Sequence, residues 1–202
     1  VWFHPAIGLW FGATPETLVE LTENRFSTMA LAGTQPFSNE PEWTQKEIEE
    51  QQLVTDYIVD KLSSFSTDLQ LSKTETVKAG SLVHLRTKIN GKLNVKIDDS
   101  LFSLVDLLHP TPAVCGLPKE EAKQFILAHE NYNRSYYTGY LGELNMGSNS
   151  NNDSHFFVNL RCMEIIGKVA NIYVGGGITI GSVPEKEWKE TLAKSSIMQK
   201  VL

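Results

Sequence analysis

The chain has 202 residues, of which 41% are hydrophobic and 21% charged, the make-up of an ordinary globular protein rather than of a disordered one. A formal net charge of −6 without any Lys/Arg run excludes a general affinity for nucleic acid or an anionic membrane, so an anionic ligand has to be met by a few placed cations. No apolar stretch approaches the roughly 18 to 20 residues of a membrane-spanning helix, and Cys115 and Cys162 have neither CxxC nor metal spacing, which predicts a cytoplasmic protein with reduced thiols.

Val1–Phe3 and Leu9–Gly12 read as strand. The chain starts there without Met and without the basic, apolar, small order of a signal peptide, so a fragment is expected. Thr14 as N-cap and Pro15 at the first helical position predict a short helix opening at Glu16. Arg25–Leu31 reads as strand and Gln35–Thr44 as loop. A long helix from about Glu42 to Phe65 follows, with the apolar stripe Ile48, Val54, Tyr57, Ile58, Leu62 and Phe65. Thr67–Gly80 predicts strand plus turn, Leu82–Lys88 extended structure and Leu101–Leu108 a helix.

His109–Gly116, with prolines at 110 and 112, fits neither a regular helix nor a central strand. Pro118 to about Tyr132 predicts a helix. Tyr136–Leu144 and Phe156–Ile166 predict a hairpin joined by the polar loop Gly147–Ser154, and Val169–Ile180 adds a third strand. Ser182 with Glu185 predicts a capping box for a last helix, Pro184–Leu202, with the stripe Trp188, Leu192, Met198 and Leu202. Strands and helices come in runs, which favours an α+β architecture.

Glu47 and Glu50, three apart, share a helix face that continues into Val54 and Tyr57, and Glu187, Glu190 and Lys194 share one side of the last helix. Such acids are either solvated charges with ordinary helical support or paired carboxylates for a hard cation such as magnesium, which takes oxygen ligands. Arg161, within an apolar alternation, is either an edge-strand surface residue or a carboxylate clamp. Gly175-Gly176-Gly177 is a loose turn or a place where backbone N–H groups approach a ligand. His109 is either structural or catalytic.

These pieces occur in a set order: Gly12–Glu16, Leu31–Thr34, Glu47–Val54, His109–Gly116, Arg134–Gly142, Arg161, Tyr173–Ile178 and Pro184–Lys194. Throughout, the order is similar to that of chorismate-utilising enzymes, over nearly the whole chain, and His109–Gly116 resembles the isochorismate synthases within them. The resemblance implies a β-rich sandwich with helices packed outside and the active site in a central cleft, of which residues 1–202 form the C-terminal part of a single catalytic domain. It implies magnesium-dependent isomerisation of chorismate to isochorismate by water addition at C2 and loss of the 4-hydroxyl. Salicylate synthase activity and non-catalytic chorismate binding are the competing readings.

By matching motifs, the resemblance makes Glu16 the general acid and Glu50 and Glu190 the magnesium ligands, with Glu47 and Glu187 close behind. It gives Arg161 the enolpyruvyl carboxylate with Tyr137 nearby, and Lys194 with the Gly175 backbone the ring carboxylate. Gly33 and Thr34 line the same end, and Ala113-Val114 looks like the type that stops at isochorismate. The family's water-activating lysine lies well before the Gly-Ala-Thr-Pro-Glu motif. None of the residues before Gly12 is Lys, so the chain alone is expected to be inactive, with His109 the first alternative base. The sequence departs from the family at Gln35-Pro36-Phe37, Gln51-Gln52 and Ser135.

Overall fold

The computed structural model describes residues 1–94, 101–146 and 153–202. Their strands pair antiparallel in two sheets. In the smaller, β1 (Trp2–His4), β2 (Gly8–Gly12), β10 (Cys162–Ile166) and β11 (Val169–Tyr173) lie in that order. In the larger, β5 (Ser66–Leu71), β7 (Leu82–Leu93), β4 (Arg25–Pro36), β3 (Thr17–Thr22), β9 (Asp153–Val158) and β8 (Tyr140–Glu143) run side by side, and β6 (Glu75–Ala79) also pairs with β7. Among the described residues four helices, α1 (Gln45–Ser63), α2 (Leu101–Leu108), α3 (Lys119–His129) and α4 (Pro184–Gln199), complete an α+β architecture.

The core forms where α1 and α2 meet the larger sheet. Val54, Ile58 and Leu62 of α1 and Leu104, Val105 and Leu108 of α2 pack with Leu18, Phe26, Ile89 and Phe156 of the strands. Each such side chain contributes roughly 1.5–3 kcal/mol on leaving water, so α1 is anchored by its later turns. Its first turns, with Lys46, Glu47 and Glu50, are left free to carry charge at the end of the sheet. A second cluster, Trp10, Tyr137 and Cys162 with Trp2, Leu160 and Tyr173, sits against the smaller sheet.

Several expectations are corrected. Thr14-Pro15-Glu16 opens no helix; it is an irregular lead into β3, because the alternation that starts at Thr17 pairs with β4 and β9. Gln35 and Pro36 belong to β4, whose register shifts between Ala32 and Gln35, with Gly33 at φ +69°. Phe156–Ile166 is two strands in different sheets, broken at Asn159–Arg161, and Val169–Ile180 is strand only to Tyr173. β8 and β9 do pair, whereas loop residues 147–152 lie outside the described residues.

The helix stripes also differ. Ile48 of α1 is exposed, as are Trp188, Leu192 and Leu202, so α4 buries only Glu187 and Met198. Ser182 accepts from the Thr179 N–H at 3.0 Å, and no side chain caps α4, whose N-cap is Val183. The sequence bounds overrun α1 and α3 at both ends and α4 at its C-terminal end by one to three residues, as fraying ends make usual. Among the described residues no helix is long and apolar enough to cross a membrane.

Candidate active site

The break between β9 and β10 positions the central cation. Asn159 takes Tyr136 and Gly139 as partners: its side-chain amide donates to the Tyr136 carbonyl at 2.8 Å and its N–H to the Gly139 carbonyl at 2.7 Å. Two residues on, Arg161 turns with φ 48°, a left-handed conformation costly for a side chain of its size, and its carbonyl accepts from Ala13 at 3.0 Å. The turn aims Arg161 inward, where it is 8% exposed.

Arg161 Nη1 donates to the Ala79 carbonyl at 3.1 Å, and Nη2 to Nε2 of His84 on β7. Nδ1 of His84 lies 3.0 Å from the Gly33 carbonyl and 3.2 Å from the Thr34 hydroxyl. A carbonyl only accepts and a guanidinium only donates, so Nδ1 carries the proton and Nε2 is bare. Burial, with Arg161 beside it, pulls the His84 pKa down to about 4. Among the described residues no carboxylate pairs with Arg161, so a buried cation faces the cleft without a counter-charge.

Glu16 lines the same cleft and is 3% exposed. Burial pushes its pKa up to about 7, against the opposing effects of Thr111 and Lys194. Glu16 is thus neither exposed nor in the first turn of a helix, where the helix dipole would have lowered its pKa instead.

Gly33, Thr34, Glu50, Ala113, Val114, Tyr137, Gly175 and Lys194 also line this cleft. A Cβ on Gly175 would stand 2.7 Å from the Tyr137 hydroxyl, so only glycine lets this turn close over the ring. Lys194 Nζ donates to the Gly175 carbonyl at 3.0 Å and to Glu190 at 2.7 Å.

Two predicted residues do other work. His109 is not a cleft residue: its Nε2 meets the Thr138 carbonyl at 2.7 Å and its ring packs edge-on to Tyr140, so it braces the 136–139 loop. Glu47 closes a capping box, its carboxylate accepting from the Thr44 N–H at 2.8 Å. The sequence reading missed His84, Arg134 and Tyr173, which line the cleft. His84 was detectable as the one polar side chain in the buried run Leu82–Leu85, since an ionisable group inside such a run needs a partner.

The carboxylates of Glu50, Glu187 and Glu190 converge on the glycine turn. A Cβ on Gly177 would lie 2.9 Å from Glu50, and one on Gly176 would lie 3.5 Å from Glu190 and 3.7 Å from Glu187. This hard-oxygen donor set, on two helices, fits a divalent cation in kind. Among the described residues no three such groups close up as a metal cluster, because ammonium groups hold two of them: Lys46 pairs with Glu187 at 2.6 Å and Lys194 with Glu190. Burial raises the Glu50 pKa, with Lys46 opposing and Glu190 reinforcing.

Residues 6–202 match the family described as chorismate binding enzyme. The chain belongs to that family. It is 33% identical to the isochorismate synthase DhbC of Bacillus subtilis over 95% of this chain and 50% of the relative. The structure of the menaquinone-specific isochorismate synthase MenF from Escherichia coli superposes with a TM-score of 0.80 at 33% identity, over 94% of this chain and 45% of that one. Anthranilate synthase component I from Streptococcus pneumoniae shares the fold, with a TM-score of 0.72 at 24% identity, over 92% of this chain and 42% of that one. The chain thus spans about half the length of these relatives.

Proposed function

We propose that the cleft serves an isochorismate synthase, binding chorismate and exchanging its 4-hydroxyl for one at C2. The observation that carries the reading is the pairing of a buried acid, Glu16, of pKa about 7, with a buried cation, Arg161, that lacks a carboxylate partner among the described residues. The isochorismate synthases named among the relatives support it.

Chorismate is a dianion. Arg161, kept rigid by His84, takes the enolpyruvyl carboxylate with Tyr137 beside it, and Lys194 at the Gly175 turn takes the ring carboxylate. Hydroxide is a poor leaving group, so the departing 4-hydroxyl needs a proton. Glu16 supplies it: with a pKa near neutrality it stays substantially protonated and gives the proton up readily. Glu50 and Glu190, with Glu187 beside them, would hold magnesium, which when bound supplies positive charge to the ring carboxylate. Lys194, the only lysine lining the cleft among the described residues, is tied to Glu190 and is given to substrate binding rather than to water activation.

Binding is tested on the chain itself by calorimetric titration with chorismate in the presence of magnesium. Turnover is tested in a protein that also carries the water-activating lysine, by chromatography of the products. Isochorismate with little pyruvate is expected. Salicylate with pyruvate would identify a salicylate synthase, and the absence of any chorismate binding would remove the reading.

A further inference from the structure

Lys46 belongs to no part of the proposed chemistry, yet it stands among the acids assigned to the cation. It projects from the first turn of α1, and its Nζ lies 2.6 Å from Oε1 of Glu187 on α4, with the two side chains 23% and 10% exposed. Glu50 on its own helix and Glu190 on α4 also act on its charge, and a Cβ on Gly181 would touch the Lys46 stem at 3.6 Å, while Lys194 of α4 acts on the same acids. Three carboxylates and two ammonium groups therefore share this end of the cleft, and each ammonium is committed to one acid on α4.

Two consequences follow from this placement. First, α4 buries only Glu187 and Met198, so the Lys46–Glu187 pair is a main attachment of that helix to α1. Without it, Glu187 would be left largely buried with only the Ser182 side chain and the more distant charge of Lys194 to offset it, which is costly. Second, Lys46 holds Oε1 of Glu187 at 2.6 Å while Oε2 faces the glycine turn, so an ion taken up by these acids would sit beside an ammonium that repels it and that draws on the same carboxylate charge.

We propose that Lys46 is a built-in competitor of the divalent cation. With no cation bound, it neutralises Glu187 and keeps α4 against α1. When a cation binds, it takes over the neutralisation of the acids against the repulsion of this ammonium. It is a positioning residue whose charge sets how tightly the carboxylates take a metal, and the inference rests on the divalent-cation reading of Glu50, Glu187 and Glu190 given above.

The test measures metal binding without turnover. Magnesium is titrated by calorimetry, and manganese by electron paramagnetic resonance, into the unsubstituted protein and into Lys46→Met, with no chorismate present. Thermal unfolding is followed with and without each ion. Lys46→Met is expected to unfold at lower temperature without metal, to bind magnesium more tightly by roughly tenfold, the size of an ordinary coupling between two sites, and to gain more in Tm from the ion. Lys46→Arg keeps the charge and is expected to stay close to the unsubstituted protein. Should Lys46→Met not fold, Lys46→Gln, which retains a donor for Glu187, carries the test with the same expected direction. Unchanged or weaker binding in the neutral variants, alongside saturable binding in the unsubstituted protein, overturns the role of Lys46 alone. No saturable binding in any of the proteins overturns the divalent-cation reading and the inference with it.

Discussion

Arg161 donates to Nε2 of His84, and the other ring nitrogen of His84 is committed to the Gly33 carbonyl at the bulge of β4. A chain of two bonds thus runs from the guanidinium to a strand of the larger sheet. Replacing His84 by Leu leaves both Arg161 Nη2 and the Gly33 carbonyl without this partner. Each unmet buried polar group costs about 1–3 kcal/mol. The variant is expected to lose stability in chemical denaturation and to bind chorismate roughly ten- to a hundredfold more weakly. Unaltered affinity would mean that Arg161 does not need this support.

Glu16→Gln is expected to leave chorismate binding within a few-fold and to abolish turnover, because the amide keeps the shape and has no acidic proton to transfer. Single-turnover measurement beside a binding titration separates the two. In the unsubstituted enzyme, the Glu16-dependent rate should fall as pH rises through about 7.

The stability of the fold carries the same signature with a worked sign. Between about 4.5 and about 7, Glu16 holds a proton in the folded state that the unfolded chain has released, so it lowers stability as pH rises. Between about 4 and 6.5, His84 lacks in the folded state a proton that the unfolded chain holds, so it raises stability as pH rises. The two oppose each other over the shared window. Glu16→Gln removes one of them, so urea unfolding of that variant is expected to gain stability from pH 4.5 to 6.5 more steeply than that of the unsubstituted protein. A parallel pair of profiles would refute the raised pKa.

Glu190→Gln is expected to lower turnover by orders of magnitude at limiting magnesium while leaving the melting temperature nearly unchanged, since its side chain is 21% exposed and packs little. Activity that survives at limiting magnesium would take the acid out of the cation site.

Gly175→Ala and Gly176→Ala form a matched pair. At Gly175 the new methyl would stand 2.7 Å from the Tyr137 hydroxyl, whose ring is 7% exposed and cannot swing away, whereas at Gly176 the nearest atom is at 3.5 Å, an ordinary contact. Overpacking of the first kind costs about 1–3 kcal/mol. Chorismate affinity is expected to drop clearly in Gly175→Ala and little in Gly176→Ala, by calorimetry; equal effects would dissociate the turn from the ring.

Much of this was legible in one dimension. Apolar periodicity and Gly/Pro punctuation located α1, α2 and most strands, because local burial patterns survive in sequence. The order of short motifs singled out several residues that line one cleft, Glu16, Arg161 and Lys194 among them, but not His84. What the sequence could not disclose is which sheet a segment joins and whom a charge meets. Phe156–Ile166 reads as one strand because apolar residues run through it and alternate with polar ones across Phe157–Arg161; the break at Asn159–Arg161 comes from hydrogen bonds to a loop some twenty residues earlier. His109 and His84 carry the same ring, and only packing decided that one braces a loop and the other orients Arg161. Likewise the acids of α1 and α4 were visible as pairs. That Lys46 crosses between the helices to take Glu187, and that burial rather than a neighbouring charge raises Glu16, were decided by tertiary structure, because desolvation and ion pairing depend on distances through space and not along the chain.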